Sequence, residues 1–173
     1  MTDALAKATK TTTAGERETL EAFLDTYRAI LRGKLEGLSE SDARRSTVPS
    51  GTTVGGLVKH LRWVEQGWLQ QVLAGIPAEQ LPQSPSTPDD LDGDLRMAPE
   101  DTVDGLLADY DAQCERSRET AARYDLDDIG RHPRRGDVSL RWIYTHLIEE
   151  TARHAGHADI LREQIDGATG LDV

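Results

Sequence analysis

The sequence predicts an all-α protein, a four-helix bundle with long crossover connections. Three observations predict it. Four stretches carry apolar residues at the three- and four-residue spacing of a helical face. No stretch alternates convincingly as a strand. The chain has 173 residues and no internal repeat, which suits a single domain over 1–173 with a real core. Within it, the polar, Thr-rich residues 1–14 read as a flexible N-terminal tail.

The first helix is expected over residues 16–37, where Leu20, Phe23, Leu24, Tyr27, Ile30, Leu31 and Leu35 share a face that Leu38 continues. Residues 39–53 form a connection with Pro49, Gly51 and three candidate N-caps, Ser50, Thr52 and Thr53. The second helix covers 54–73 on a stripe of Leu57, Leu61, Val64, Trp68 and Val72, and Ala74-Gly75 ends it. Residues 76–100 hold Pro77, Pro82, Pro85, Pro88 and Pro99 and a cluster of Asp89, Asp90, Asp92 and Asp94. This stretch reads as a solvated crossover, with a lid over a site as the sharper alternative. The third helix covers 102–124, with Val103, Leu107, Tyr110, Cys114, Ala121 and Tyr124 on one face. A loop over 125–137 carries Gly130, Pro133 and Gly136. Ser139 or Asp137 then caps a fourth helix that runs to about residue 165 and closes at Gly167.

Composition narrows the function classes. Lys and Arg number 20 and Asp and Glu 31, for a net charge of -11. That field repels a phosphate backbone unless basic residues are segregated. The longest basic cluster is only Arg131, His132, Arg134 and Arg135, broken by Pro133, so no nucleic-acid partner is expected. No apolar run approaches the ~18–20 residues of a membrane span, and the polar N-terminus is not a secretory signal. The single cysteine, Cys114, excludes an internal disulfide and any multi-cysteine metal site. Its place on the third helix's apolar stripe marks it as a core residue rather than a nucleophile. A cytoplasmic protein is the expectation.

The chemistry lies on the fourth helix. At about 100° per residue, with Leu147 at zero, Leu140 and Ala158 fall about 20° to one side, and Ile143 and Leu161 about 40° to the other. His154 falls at about −20°, Glu150 at about −60°, His157 at about −80° and His146 at about −100°. Glu150, His154 and His157 therefore project toward the bundle interior or its edge. Burying them without partners costs several kcal/mol. Their spacing lets them converge on one ion, with His60 of the second helix as the natural further ligand. The competing reading is an internal hydrogen-bonded or salt-bridged cluster with Arg153 or Arg62. Trp63, Trp68, Trp142 and His146 are candidates to line a pocket beside the ion. Arg62 and Arg141 are candidates to hold an anionic substrate.

Residues 140–167, with Leu147-Ile-Glu-Glu150-Thr-Ala-Arg-His154-Ala-Gly-His157 at their centre, resemble the final helix of actinobacterial DinB-like proteins. The group is the one typified by the Streptomyces mini-circle protein. Residues 49–68, Pro-Ser-Gly-Thr-Thr-Val-Gly-Gly-Leu-Val-Lys-His60-Leu-Arg-Trp-Val-Glu-Gln-Gly-Trp68, are similar to that group's second helix and its lead-in. The resemblance covers nearly the whole chain. It implies a four-helix bundle, often a homodimer, with zinc or nickel held by three ligands, one from the second helix and two from the fourth. Relatives use His-x-x-x-His, as in bacillithiol-dependent transferases, or Glu-x-x-x-His, as in mycothiol-dependent maleylpyruvate isomerase. Glu150-x-x-x-His154 matches the second form, and Arg153 stands where the first form would need histidine before His157. The ligand set is then His60, Glu150, His154 or His60, His154, His157, with Glu150 favoured.

The expected activity is metal-dependent transfer or isomerisation with a low-molecular-weight thiol such as mycothiol, acting on a small electrophile. A metal-dependent hydrolase and a non-catalytic, metal-stabilised bundle are the alternatives.

Overall fold

The computed structural model describes residues 11–170. Residues 1–10, most of the expected tail, lie outside the described residues, and Thr11 to Ala14 make a turn closed by Ala14 N–H on the Thr11 carbonyl at 3.1 Å. The architecture is the expected helical bundle. Helix α1 is Glu16–Leu35, α2 is Val54–Gln66, α3 is Val103–Ala121 and α4 is Leu140–Asp166. A single helical turn, Glu40–Ala43, sits between α1 and α2.

Each boundary has a local cause. The hydroxyls of Thr53, Thr102 and Ser139 accept from the backbone N–H groups of Gly56, Gly105 and Trp142, capping α2, α3 and α4. Gly167, in the left-handed region at φ 80°, closes α4. Helix α1 has no side-chain cap, but Glu16 and Glu18 open it and Arg32 and Lys34 end it, in the sense the helix dipole favours. Helix α2 does not stop at Gln66. It runs on through a π-helical segment, Gly67–Leu73, that carries Trp68 and Leu69 into the core.

Helix α1 packs chiefly on α4, and α2 on α3. One core region gathers Leu31, Leu35, Leu57, Leu61, Tyr110, Ala158 and Leu161. The other gathers Leu24, Trp68, Leu69, Leu140, Ile143 and Leu147. Cys114 is buried between α3 and its neighbours, and burial pushes its thiol up to about 12. It is a core residue, as its stripe position implies.

Two features depart from the expectation. The loop before α4 contains an antiparallel hairpin, β1 (Ile129–His132) with β2 (Gly136–Ser139), paired Ile129 to Ser139 through His132 to Gly136. Its strands show no apolar alternation because only Gly130 and Val138, a cross-strand pair, face inward. A Cβ on Gly130 would stand 2.5 Å from the Val72 carbonyl oxygen, so glycine lets the hairpin seat directly on the end of α2.

The crossover between α2 and α3 is the second departure. It contains two 3-10 turns, Ala78–Gln80 and Gly93–Leu95, and the latter packs against α2. The Gly55-Gly56 pair makes this possible. A Cβ on Gly56 would lie 2.0 Å from the Leu95 carbonyl oxygen, and one on Gly55 would lie 2.2 Å from Met97 Sδ. Gln66 also donates to the Pro82 carbonyl at 2.9 Å. The crossover is therefore laid onto α2 at the level where Asp94 meets His60.

Candidate metal centre

His60 lies one turn beyond Gly56, on the side of α2 that looks toward α4. Glu150 and His154, one turn apart on α4, face it. One ligand atom from each of His60, Glu150 and His154 lies within 4.8 Å of the other two. His154 Nε2 is 3.2 Å from Glu150 Oε1, and His60 Nε2 is 3.6 Å from the same oxygen. The two imidazoles meet edge to face with centroids 5.2 Å apart. The side chains of His60, Glu150 and His154 are 19%, 12% and 12% exposed, so the cluster is largely withdrawn from water.

The donor set suits a divalent ion. Metal–ligand bonds of ~2.0–2.2 Å in tetrahedral geometry set neighbouring ligand atoms roughly 3.3 Å apart, close to the separations around Glu150 Oε1. The outer nitrogen of His60 has the partner such ligands require: Nδ1 lies 3.0 Å from Asp94 Oδ2. Asp94 is itself buried, and its backbone N–H donates to Ser86 Oγ.

Charge around the cluster is tuned from several sides. Burial disfavours the charged form of His60, but the Asp94 carboxylate, with Glu150, overrides it and raises the imidazole's pKa. Burial dominates at His154 and lowers its pKa, with His60 and Arg153 adding to the effect against Glu150. Burial would raise the Glu150 carboxyl, yet His154 and Arg153 hold it below its ordinary value. The result is an ionised carboxylate between two imidazoles.

The remaining expected residues divide. His157, expected at the bundle interior or its edge, is exposed, because its position on α4 falls past the edge of the buried stripe of Thr151, Ala155 and Ala158. Its Nδ1 lies 3.4 Å from His154 Nδ1, on the opposite side of that ring from Glu150, and it is outside the convergent set. Trp68, Trp142 and His146 do come together. Trp68 stands 5.2 Å from Trp142 and 4.8 Å from His146, and Trp142 stacks on His146. His132, from the hairpin, stacks on Trp68 at 4.9 Å. Trp63 does not join this group: it carries the Arg62 guanidinium over its ring and lines a different cavity. Arg141 is committed to Glu16 and Asp127, and Arg153 bridges Glu149 and Glu150.

Sequence reasoning missed two participants. Asp94 was hidden in an acidic cluster that reads as solvent-facing. The signal available was the Gly55-Gly56 pair inside a helix start, where glycine is unfavourable unless another backbone approaches closely. His132 falls in a stretch that reads as a loop, and only the hairpin brings it against Trp68.

Comparison with known proteins gives one family. The family model described as mycothiol-S-transferase matches residues 19–167. That span holds α2, α3 and α4, all but the first three residues of α1, and every residue of the candidate centre. No curated protein matches the chain.

Proposed function

The chain belongs to the mycothiol-S-transferase family, and from that membership we propose that it transfers a mycothiol-type thiol to a small electrophile at a divalent metal held by His60, Glu150 and His154. The observation that carries the reading is the convergence of two imidazoles and one carboxylate from facing helices, with Asp94 behind His60. Three protein donors leave room for a further ligand, as in catalytic rather than structural sites. A divalent ion in this set, zinc or nickel, supplies Lewis acidity that favours the thiolate form of a nearby thiol.

The chain's own residues do the rest. Asp94 fixes the tautomer and ring plane of His60. Glu150 balances part of the cation's charge. His146 sits one turn before Glu150 on α4, and burial lowers its pKa, so its neutral ring is available to accept the proton released from the thiol. Trp68, Trp142 and His132 form an aromatic wall beside His146 that suits an apolar or aromatic electrophile.

The test is conjugation of mycothiol to a chromogenic aryl halide by metal-loaded protein. We expect thiol-dependent turnover that vanishes in a folded His60→Ala variant. Turnover by water in place of thiol would favour a hydrolase. Equal rates in wild type and His60→Ala would sink the reading.

A further inference from the structure

The chain carries a net charge of -11, yet one short stretch runs the other way: Arg131, Arg134 and Arg135, on the hairpin that precedes α4. The hairpin is held at both ends. Gly130 seats its open end on the Val72 carbonyl. Near its tip His132 stacks on Trp68, and His132 Nδ1 accepts from the backbone N–H groups of Arg134 and Arg135, each at 3.1 Å. The basic turn is thereby fixed beside the aromatic wall of Trp68, Trp142 and His146. The Arg135 guanidinium carbon lies 5.5 Å from the centroid of the Trp142 ring, within the ~6 Å reach of a cation–π contact.

The charges of this turn are unevenly answered. Arg131 faces Asp137, its cross-strand partner, at 3.7 Å. Arg134 and Arg135 are exposed and have no ion-pair partner among the described residues. Glu149, 3.5 Å from His146 Nδ1, is met by Arg153 at 3.7 Å. In a chain with 31 acidic residues, two unpaired arginines beside an aromatic surface leave a local positive potential there. The wall feels it. Burial lowers the pKa of His132, and Arg135 and Arg134 add to the effect. Burial also lowers that of His146, where Arg135 works against Glu150 and Glu149. The two arginines that the sequence offers for an anion are placed elsewhere, Arg141 on Glu16 and Asp127 and Arg62 over Trp63.

We infer that the electrophile taken by the aromatic wall is a small aromatic anion, whose ring rests on Trp68 and Trp142 and whose anionic group pairs with Arg134 and Arg135 at the hairpin tip. The inference rests on the wall being the electrophile's place, as proposed above, and adds the charge of the substrate. Both guanidinium groups stand open to a ligand, and a guanidinium fork matches a carboxylate in two parallel hydrogen bonds. The overall negative charge excludes a polyanion, which the rest of the surface would repel, and so selects a small ligand that meets the hairpin alone. Four neighbouring rings, those of His132, Trp68, Trp142 and His146, call for an aromatic body.

The experiment is a titration of the full-length, ¹⁵N-labelled protein, incubated with zinc, with sodium 4-nitrobenzoate and in parallel with 4-nitrobenzamide, a neutral probe of similar shape. The indole N–H resonances of Trp68 and Trp142 report on the wall. Nitrobenzoate is expected to shift them saturably and to bind at least about threefold more tightly than nitrobenzamide, a ratio within reach of two exposed ion pairs. Replacing both Arg134→Gln and Arg135→Gln, at exposed positions where folding is not at stake, should bring the ratio to about one. Added sodium chloride should narrow it in the wild type, since exposed charges are screened. A ratio near one in the wild type, or a preference that the double variant keeps, would overturn the inference. So would nitrobenzoate leaving both indoles unmoved, which places the carboxylate elsewhere, the metal centre included. Sound nitrobenzoate binding without thiol turnover would instead count against the transfer reading and leave the anion site standing.

Discussion

Asp94 meets the candidate centre through His60, although it is not among the convergent donors. Its carboxylate is buried against His60 Nδ1, so the imidazole must present Nε2 toward Glu150 and His154. Asp94→Asn keeps the shape and removes the charge. The expected outcome is metal affinity lower by ~10–100-fold with the fold intact, measured by competition with a chelating dye. His157 makes the opposite case. It meets His154 at Nδ1, the nitrogen turned away from Glu150, and is exposed. His157→Ala should therefore keep full metal stoichiometry after dialysis against a mild chelator, as read by mass spectrometry. A variant emptied by His157→Ala but still loaded in Glu150→Gln would establish the three-imidazole set instead.

At the scale of elements, the centre depends on how closely the crossover lies on α2. Gly56 is the position that sets this distance. A Cβ there would fall 2.0 Å from a backbone carbonyl oxygen, which no side-chain rotation can relieve. Gly56→Ala should push Leu95 outward and take the adjacent Asp94 off His60. Over-packing of this kind typically costs ~1–3 kcal/mol. We expect a lower denaturation midpoint together with weakened metal binding, and a normal response from the hairpin's His132, whose contact with Trp68 lies elsewhere. Unchanged metal affinity would mean that the crossover and the centre are independent.

At the scale of the whole molecule, the core holds groups that ionise only at alkaline pH. Burial raises the Cys114 thiol from an ordinary 9.0 to about 12, and it also raises the buried Tyr110 hydroxyl. A group whose folded pKa lies above its unfolded one contributes stability that is full below the unfolded value and is lost as pH rises toward the folded value. Stability against urea should thus decline from about pH 9 upward, at ~1.4 kcal/mol per pKa unit of difference for each group. Cys114→Ala should make that decline shallower. The native thiol should resist a disulfide reagent at pH 8 and react once the chain is unfolded. No helix among the described residues is long and apolar enough to cross a membrane, and the family match takes in α2 to α4 and α1 from residue 19 onward.

The four helices and the faces they bury are legible in the sequence, because helical periodicity is a local property written over a few residues, whereas the caps of α2 and α4 are narrowed only to candidates, from which the folded chain uses Thr53 and Ser139. Glu150 and His154 are likewise legible as facing the bundle interior or its edge, with His60 beside the apolar stripe of the second helix, since three- and four-residue spacing fixes which side chains share a side of one helix. The sequence left open which of Glu150 and His157 points at His60. The difference is about 20° on one helix, and only the packing of α4 against α2 resolves an angle that small. The hairpin and the Asp94 contact were beyond local reading for a related reason. Gly130 facing Val138 gives too weak an apolar alternation to mark a strand, and Asp94 becomes a buried partner of His60 only because Gly55 and Gly56 admit the crossover. Those contacts join residues far apart in the chain, so the energies that choose them exist only once the helices have packed.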